Sequence, residues 1–274
     1  MRIRHLVPAA LLALLASAWA QYPQVPPGIL EGPETGRRLT GDTIIFCVDP
    51  RDPAHEVDRA IAEAIAGALL LEPEFHVVQR TLVTDTIENL YVDLVNHCHV
   101  SLGFKHLSNA YASWLILTRA YYRTSYVLAV SDPSWSSLTD IPRDRPIGGV
   151  PGTVGDVRFL TTLRSMGEQR LWPRYPKGSH ELALEAVLDG SLGAALVWAP
   201  SAWALKRSSA RFDELRLVYD DRISEPIGVG AVLLDGNAFL RSRIDDAIAA
   251  LSAYGTIEEI LASHDFPAQP PPAE

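Results

Sequence analysis

Strand and helix signals alternate from Thr43 to Leu261, and that alternation confines the chain to an α/β fold with mainly parallel sheets. Thr43 to Val48 is a short apolar run bounded by turn residues, which reads as a buried strand. Val57, Ile61, Ile65 and Leu69 then recur at i+4 spacing, with Ala60 and Ala64 beside them, as one face of a helix. Phe75 to Val78 reads as a strand. Ile87, Leu90, Tyr91 and Leu94 follow as a helix face, with Asp85 and Glu88 as a capping-box start. His99 to Gly103 and Tyr126 to Val130 are further strands.

The grammar then repeats. Ile147 to Val150 is a strand, and Pro151, Gly152 and Thr153 lead into a helix through Phe159 and Leu163. Ser179 caps a helix with Leu184, Val187 and Leu188 on one face, closed by Gly190. Ala194 to Trp198, Leu215 to Tyr219 and Ile227 to Leu234 are strands. Leu240, Ile244, Ile248 and Leu251 line a helix, and Thr256 with Glu259 forms a capping box for the next. Two strand–helix groups of similar size predict two lobes. Ligands in such folds lie outside the carboxyl ends of the strands.

The start of the chain sets a compartment. Arg2 and Arg4 precede a short apolar stretch, Leu6 to Leu15, and Ala18-Trp19-Ala20 is a small-x-small cleavage site. Residues 1–20 therefore read as a signal peptide cleaved after Ala20, with export to the periplasm; no cysteine follows to carry a lipid. The stretch is too short to span a bilayer, and no later segment approaches a span, so no membrane insertion is expected after cleavage. The Pro- and Gly-rich residues 21–39 read as a linker, and the proline-rich residues 267–274 as a disordered tail.

Charge narrows the partners. The formal charge is −9, and losing the leader removes two arginines and no acid, leaving −11. Such an acidic surface argues against nucleic acid, which selects a basic footprint, and suits a basic patch on a protein partner. Two cysteines are too few for a four-thiolate zinc site. In an oxidising compartment Cys47 and Cys98 are expected to form a disulfide, with two buried thiols as the alternative.

Familiar chemical motifs fail. There is no G-x-S-x-G elbow and no G-x-x-x-x-G-K loop. The His-Glu pairs at 55–56 and 180–181 lack a second histidine four residues on. His97 and His99, with His106 nearby, could share a face on an extended chain. No carboxylate lies beside them in sequence and Cys98 is expected in a disulfide, so no metal is assigned and no cofactor is expected. Asp49, Asp52 and Asp58 form a loose acidic cluster whose members read first as turn and cap residues.

Four segments in order carry a resemblance: Ile44-Ile45-Phe46-Cys47-Val48-Asp49-Pro50; Leu117-Thr118-Arg119-Ala120-Tyr121-Tyr122-Arg123-Thr124-Ser125-Tyr126; Leu188 to Trp198; and Gly255-Thr256-Ile257 through Phe266-Pro267. The chain resembles the extracytoplasmic solute-binding proteins of bacterial ABC importers, of the amino-acid-binding type. That resemblance implies a two-lobed α/β fold of the type II periplasmic-binding-protein kind, its lobes joined by two hinge strands and its ligand between them. Lobe one would comprise residues 40–131 and 223–266, and lobe two residues 132–222.

The cysteine in the first strand, the second before the third strand, T-R-x-Y-Y-R-[ST]-x-Y and V-W-x-P are similar to a narrower branch. Those are the J proteins encoded beside PQQ-dependent methanol and alcohol dehydrogenases. The branch implies a non-catalytic accessory protein with such a dehydrogenase or its cytochrome as partner. A transport receptor for a small non-amino-acid solute is the alternative.

Two departures favour a ligand other than an amino acid. Gly103 to Asn109 holds no arginine to pair with a ligand carboxylate, and Trp198-Ala199-Pro200 stands where such binders hold an amino group with aspartate. An enzyme on this fold, such as a cyclohexadienyl dehydratase-like lyase, would need an acid or base from Asp49, Lys105 or His106, and no enzymatic activity is expected. The candidate cleft comprises Asp49 and Arg51 after strand one, Phe104 and Lys105 after strand three, Thr153 at a helix N-terminus, and Trp198 with Trp203 as an aromatic wall. Arg119 and Tyr121 are placed near the hinge.

Overall fold

The computed structural model describes residues 39–79, 86–167 and 172–272. The leader, its cleavage site, nearly all of the linker and Asp85 of the first capping pair lie outside those residues.

The chain builds two sheets. In the first, β1 (Thr43–Val48), β2 (Glu72–Val77), β3 (Val100–Lys105), β4 (Leu115–Leu117), β5 (Tyr122–Thr124) and β11 (Ile227–Leu234) assemble in the order β2-β1-β3-β11-β4, with β5 also on β11. In the second, β6 (Tyr126–Val130), β7 (Ile147–Gly149), β8 (Arg174–Pro176), β9 (Ala194–Trp198) and β10 (Arg216–Val218) take the order β10-β6-β9-β7-β8. The expected two-lobed α/β architecture is therefore present.

The sheets are mixed rather than mainly parallel. The trios β2-β1-β3 and β8-β7-β9 are parallel, because α1 (His55–Ala68), α2 (Ile87–Asn96), α3 (Val154–Ser165) and α4 (His180–Leu188) supply the crossovers this requires. The strands that follow each crossing between the sheets, β6 and β11, run antiparallel to β9 and β3. The first crossing also falls earlier than residue 131. β5 pairs with β11 through Thr124↔Ile227, while Tyr126 already pairs with Trp198 in the other sheet, so Ser125 stands between the two sheets.

Helix stripes meet their sheets as the periodicity requires. Val57, Ile61 and Ile65 of α1 are buried, as are Leu90, Tyr91 and Leu94 of α2. Ser179 caps α4 by accepting from the Leu182 backbone N–H at 3.1 Å. Two helix ends differ from expectation. The α7 helix (Thr256–Ser263) starts on Gly255 in the left-handed region, with no side-chain cap bond, so Thr256 and Glu259 form no capping box. Ala199–Ser208 is a helix, α5, entered directly from β9 with Pro200 in its first turn, where a missing N–H costs nothing.

Pro267 to Gln269, expected in a disordered tail, is docked. Gln269 makes an antiparallel bridge to Arg123, and the Thr124 hydroxyl donates to the Pro267 carbonyl at 2.6 Å. Cys47 and Cys98 are joined in a disulfide, their Cα atoms 5.5 Å apart, which ties β1 to the end of α2. No helix among the described residues is long and apolar enough to cross a membrane.

Candidate functional site

The lobes meet where β3 of the first sheet faces β9 of the second. Lys105, the last residue of β3, places its Nζ 4.5 Å from the centre of the Trp198 ring, the last residue of β9. A desolvated ammonium over an indole face is a favourable contact, worth about 2 kcal/mol. Burial lowers the Lys105 pKa, and the nearby Asp52 carboxylate partly opposes that.

The second lobe builds its side around Tyr126, at the start of β6. Its ring lies 5.0 Å from Trp198 and 6.4 Å from His180, and its hydroxyl bonds to Thr153 and takes the Gly155 backbone N–H. Gly155 is required here, since a Cβ on it would come 2.3 Å from the Tyr126 ring. Thr153 caps α3, its hydroxyl accepting from the Asp156 N–H at 3.2 Å. His180, the first residue of α4, has its pKa pushed down to about 4, by burial first and by Lys105 second. Its buried Nδ1 has no hydrogen-bond partner among the described residues.

Beneath Lys105 the first lobe holds two acids. Asp58, in the first turn of α1, is only 2% exposed. Burial and the charge of Asp52 drive its pKa well up, against hydrogen bonds from the Tyr121 and Tyr122 hydroxyls. Its Oδ1 has no partner among the described residues. Asp52 caps the turn before α1, accepting from the Ala54 N–H at 2.8 Å, and burial raises its pKa as well. Gly103 lets both approach: its φ is +86°, and a Cβ would lie 2.9 Å from Asp52 Oδ2 and 3.1 Å from Asp58 Oδ2. Its N–H donates to the Tyr121 hydroxyl at 2.9 Å.

Of the residues proposed from sequence, Lys105, Trp198, Thr153 and Tyr121 thus lie along this chain of contacts. Tyr121 is at once a buried core residue and a ligand of Asp58. Others lie elsewhere. Asp49 and Arg51 pair with each other at 2.6 Å at the exit of β1. Phe104, on the opposite strand face from Lys105, meets Tyr111 edge-on at 5.8 Å. The Arg119 N–H donates to Asp245 of α6 (Ala238–Ala253) at 2.6 Å. Trp203 is not beside Trp198; it donates from Nε1 to the His264 carbonyl at 3.2 Å and packs edge-on against Phe266. Trp203 sits in α5, a helix that the sequence around Trp198-Ala199-Pro200 does not announce.

Tyr126, His180, Asp52 and Asp58 complete the site. Asp58 had a readable signal: it shares the inner face of α1 with Ile61, Ala62 and Ile65, where an acid is out of place.

No family model matches the sequence, and no curated protein matches it. Solved structures do. Substrate-binding domain 2 of Lactococcus lactis GlnP, in an open conformation, shares 16% identity at a TM-score of 0.62, covering 84% of this chain and 98% of that one. MxaJ from Methlophaga aminisulfidivorans shares 17% at 0.58, over 82% of this chain and 100% of the other. The GluR0 ligand-binding core, complexed with L-glutamate, shares 12% at 0.57, over 82% and 98%. The fold is that of the type II periplasmic binding proteins. In that fold the junction of Lys105 with Trp198 and Tyr126 lies between the two lobes, at the carboxyl ends of β3 and β9.

Proposed function

We propose that this protein is a non-catalytic, extracytoplasmic solute receptor of an importer, taking a small organic anion that is not an amino acid. One observation carries the reading. A lysine from one lobe reaches an aromatic wall on the other, beside a buried His180 nitrogen that no group among the described residues satisfies. A polar atom buried without a partner costs about 1–3 kcal/mol, so it marks a place completed by something else.

The charges define the solute. Lys105 suits a carboxylate or similar anion, and Trp198 with Tyr126 suits a flat or apolar body. A carboxylate here would satisfy Lys105 and draw a proton onto His180. The Asp52 carboxylate serves Lys105 from the same lobe, where an amino acid's ammonium would compete with it. The disulfide fits export to an oxidising compartment. The likeness to solved substrate-binding domains supports a receptor, and the periplasm is the proposed location.

A thermal-shift screen of small mono- and dicarboxylates tests this. The receptor reading expects one of them to stabilise the protein by about 2.7 kcal/mol at a hundred times its Kd. Lys105→Met is expected to abolish that gain, read as the difference between the variant's melting with and without the solute. The likeness to MxaJ favours a second reading, an accessory protein of a PQQ-dependent dehydrogenase. A flat screen together with stoichiometric co-purification of such a dehydrogenase or its cytochrome would establish that reading instead.

A further inference from the structure

We propose that His76, Asp93 and His97 form a binding site for a divalent late first-row metal ion on the edge of the first sheet. The inference does not rest on the solute-receptor reading. One ligand atom from each residue lies within 4.8 Å of the others. The two imidazole rings are already face to face, their centres 4.5 Å apart and their planes within 7° of parallel.

The backbone explains why these three meet. Asp93 and His97 are four residues apart at the end of α2, so they share one helix face. His76 lies on β2, the edge strand, directly opposite Cys47 of β1 in the pairing register. Cys98 follows His97. The Cys47–Cys98 disulfide therefore fixes the neighbour of each histidine to the other, and holds the strand and the helix end at a set distance.

The sequence pattern around Cys98 points instead to His97 with His99. That pair is broken in the structure, because His99 is buried and its Nδ1 accepts from the Ile45 N–H at 2.9 Å. The disulfide takes Cys98 out of contention and at the same time braces the alternative set.

Two imidazoles and a carboxylate suit zinc, copper(II) or nickel(II) rather than the hard, oxygen-seeking ions. Tetrahedral zinc at about 2.0–2.1 Å bonds sets its donors about 3.3 Å apart. His97 is exposed and His76 and Asp93 are half-buried, so side-chain rotation closes the remaining distance without moving the backbone. Three protein ligands leave the fourth position to water or an anion. The bound ion would rivet edge strand β2 to the end of α2.

Isothermal titration of the chelator-stripped protein with zinc chloride tests the proposal, with copper(II) followed by its visible absorption. One equivalent is expected to bind saturably. His97→Ala and His76→Ala are each expected to weaken it by about tenfold or more, and His264→Ala to leave it unchanged. Since His97 is exposed, its variant keeps the fold, which circular dichroism checks. Absence of saturable uptake, or affinity equal to wild type in His97→Ala and His76→Ala, would overturn the proposal.

Discussion

Burial at the lobe junction has been imposed on groups that resist it, and each leaves a signature in pH. His180 is the clearest. Its folded pKa of about 4 lies below the ordinary 6.5, so the folded state prefers the neutral ring. As pH falls from about 6.5 to about 4, the unfolded chain takes up the proton first, and stability is lost across that window. Asp58 works in the other direction: its raised pKa makes stability fall as pH rises above 3.8. The His180 contribution is therefore read as a difference. His180→Gln is expected to melt progressively higher relative to wild type as pH falls from 7 to 4. A constant difference would show that His180 is not held neutral. Lys105 and Trp198 were legible in the sequence because they stand at the carboxyl ends of strands. Asp58 was legible only as an acid on the apolar face of α1, and His180 was not, because it resembles half of a failed zinc motif. Their chemistry comes from partners 45 and more residues distant, such as Gly103 for Asp58 and Lys105 for His180.

At the scale of elements, periodicity placed the long strands and amphipathic helices. It missed β4, β5 and β8, each three residues long, whose pairing is supplied by β11 and β7 rather than by any local pattern. It also missed α5, since Trp198-Ala199-Pro200 reads as a loop until the proline is seen in a first turn. The disulfide joins two such elements across a sequence separation of 51. Closing a loop of that length removes unfolded-state entropy worth about 4 kcal/mol. The Cys47→Ala/Cys98→Ala double variant is expected to lose about that much stability. For a chain of this size that is a drop of about 8–16 °C in Tm, measurable by calorimetry. A drop of a degree or two would mean that packing of Val100 and Phe46, not the covalent bond, sets the position of β3.

Across the whole molecule, one continuous apolar cluster runs from Ile44 and Phe46 of the first sheet to Leu128, Leu196 and Trp198 of the second. The C-terminal segment adds to it. Phe266 packs against Tyr122 at 5.2 Å and against Trp203 of α5 at 5.0 Å, while Gln269 bridges Arg123 beside the first crossing. Lys105 on Trp198 closes the junction from the other side. Lys105 and Trp198 thus join the two sheets directly, and under the proposed receptor function an entering anion would displace Lys105 from the indole. Because the lysine is tethered, that competition lowers apparent affinity without changing the contacts made. Two consequences follow from the same geometry. Small-angle scattering of the free protein is expected to match a closed molecule, and Trp198→Ala, with helical content unchanged, to increase its radius of gyration. A radius identical in wild type and variant would place the closure in Phe266 and Trp203 instead of at the Lys105–Trp198 contact.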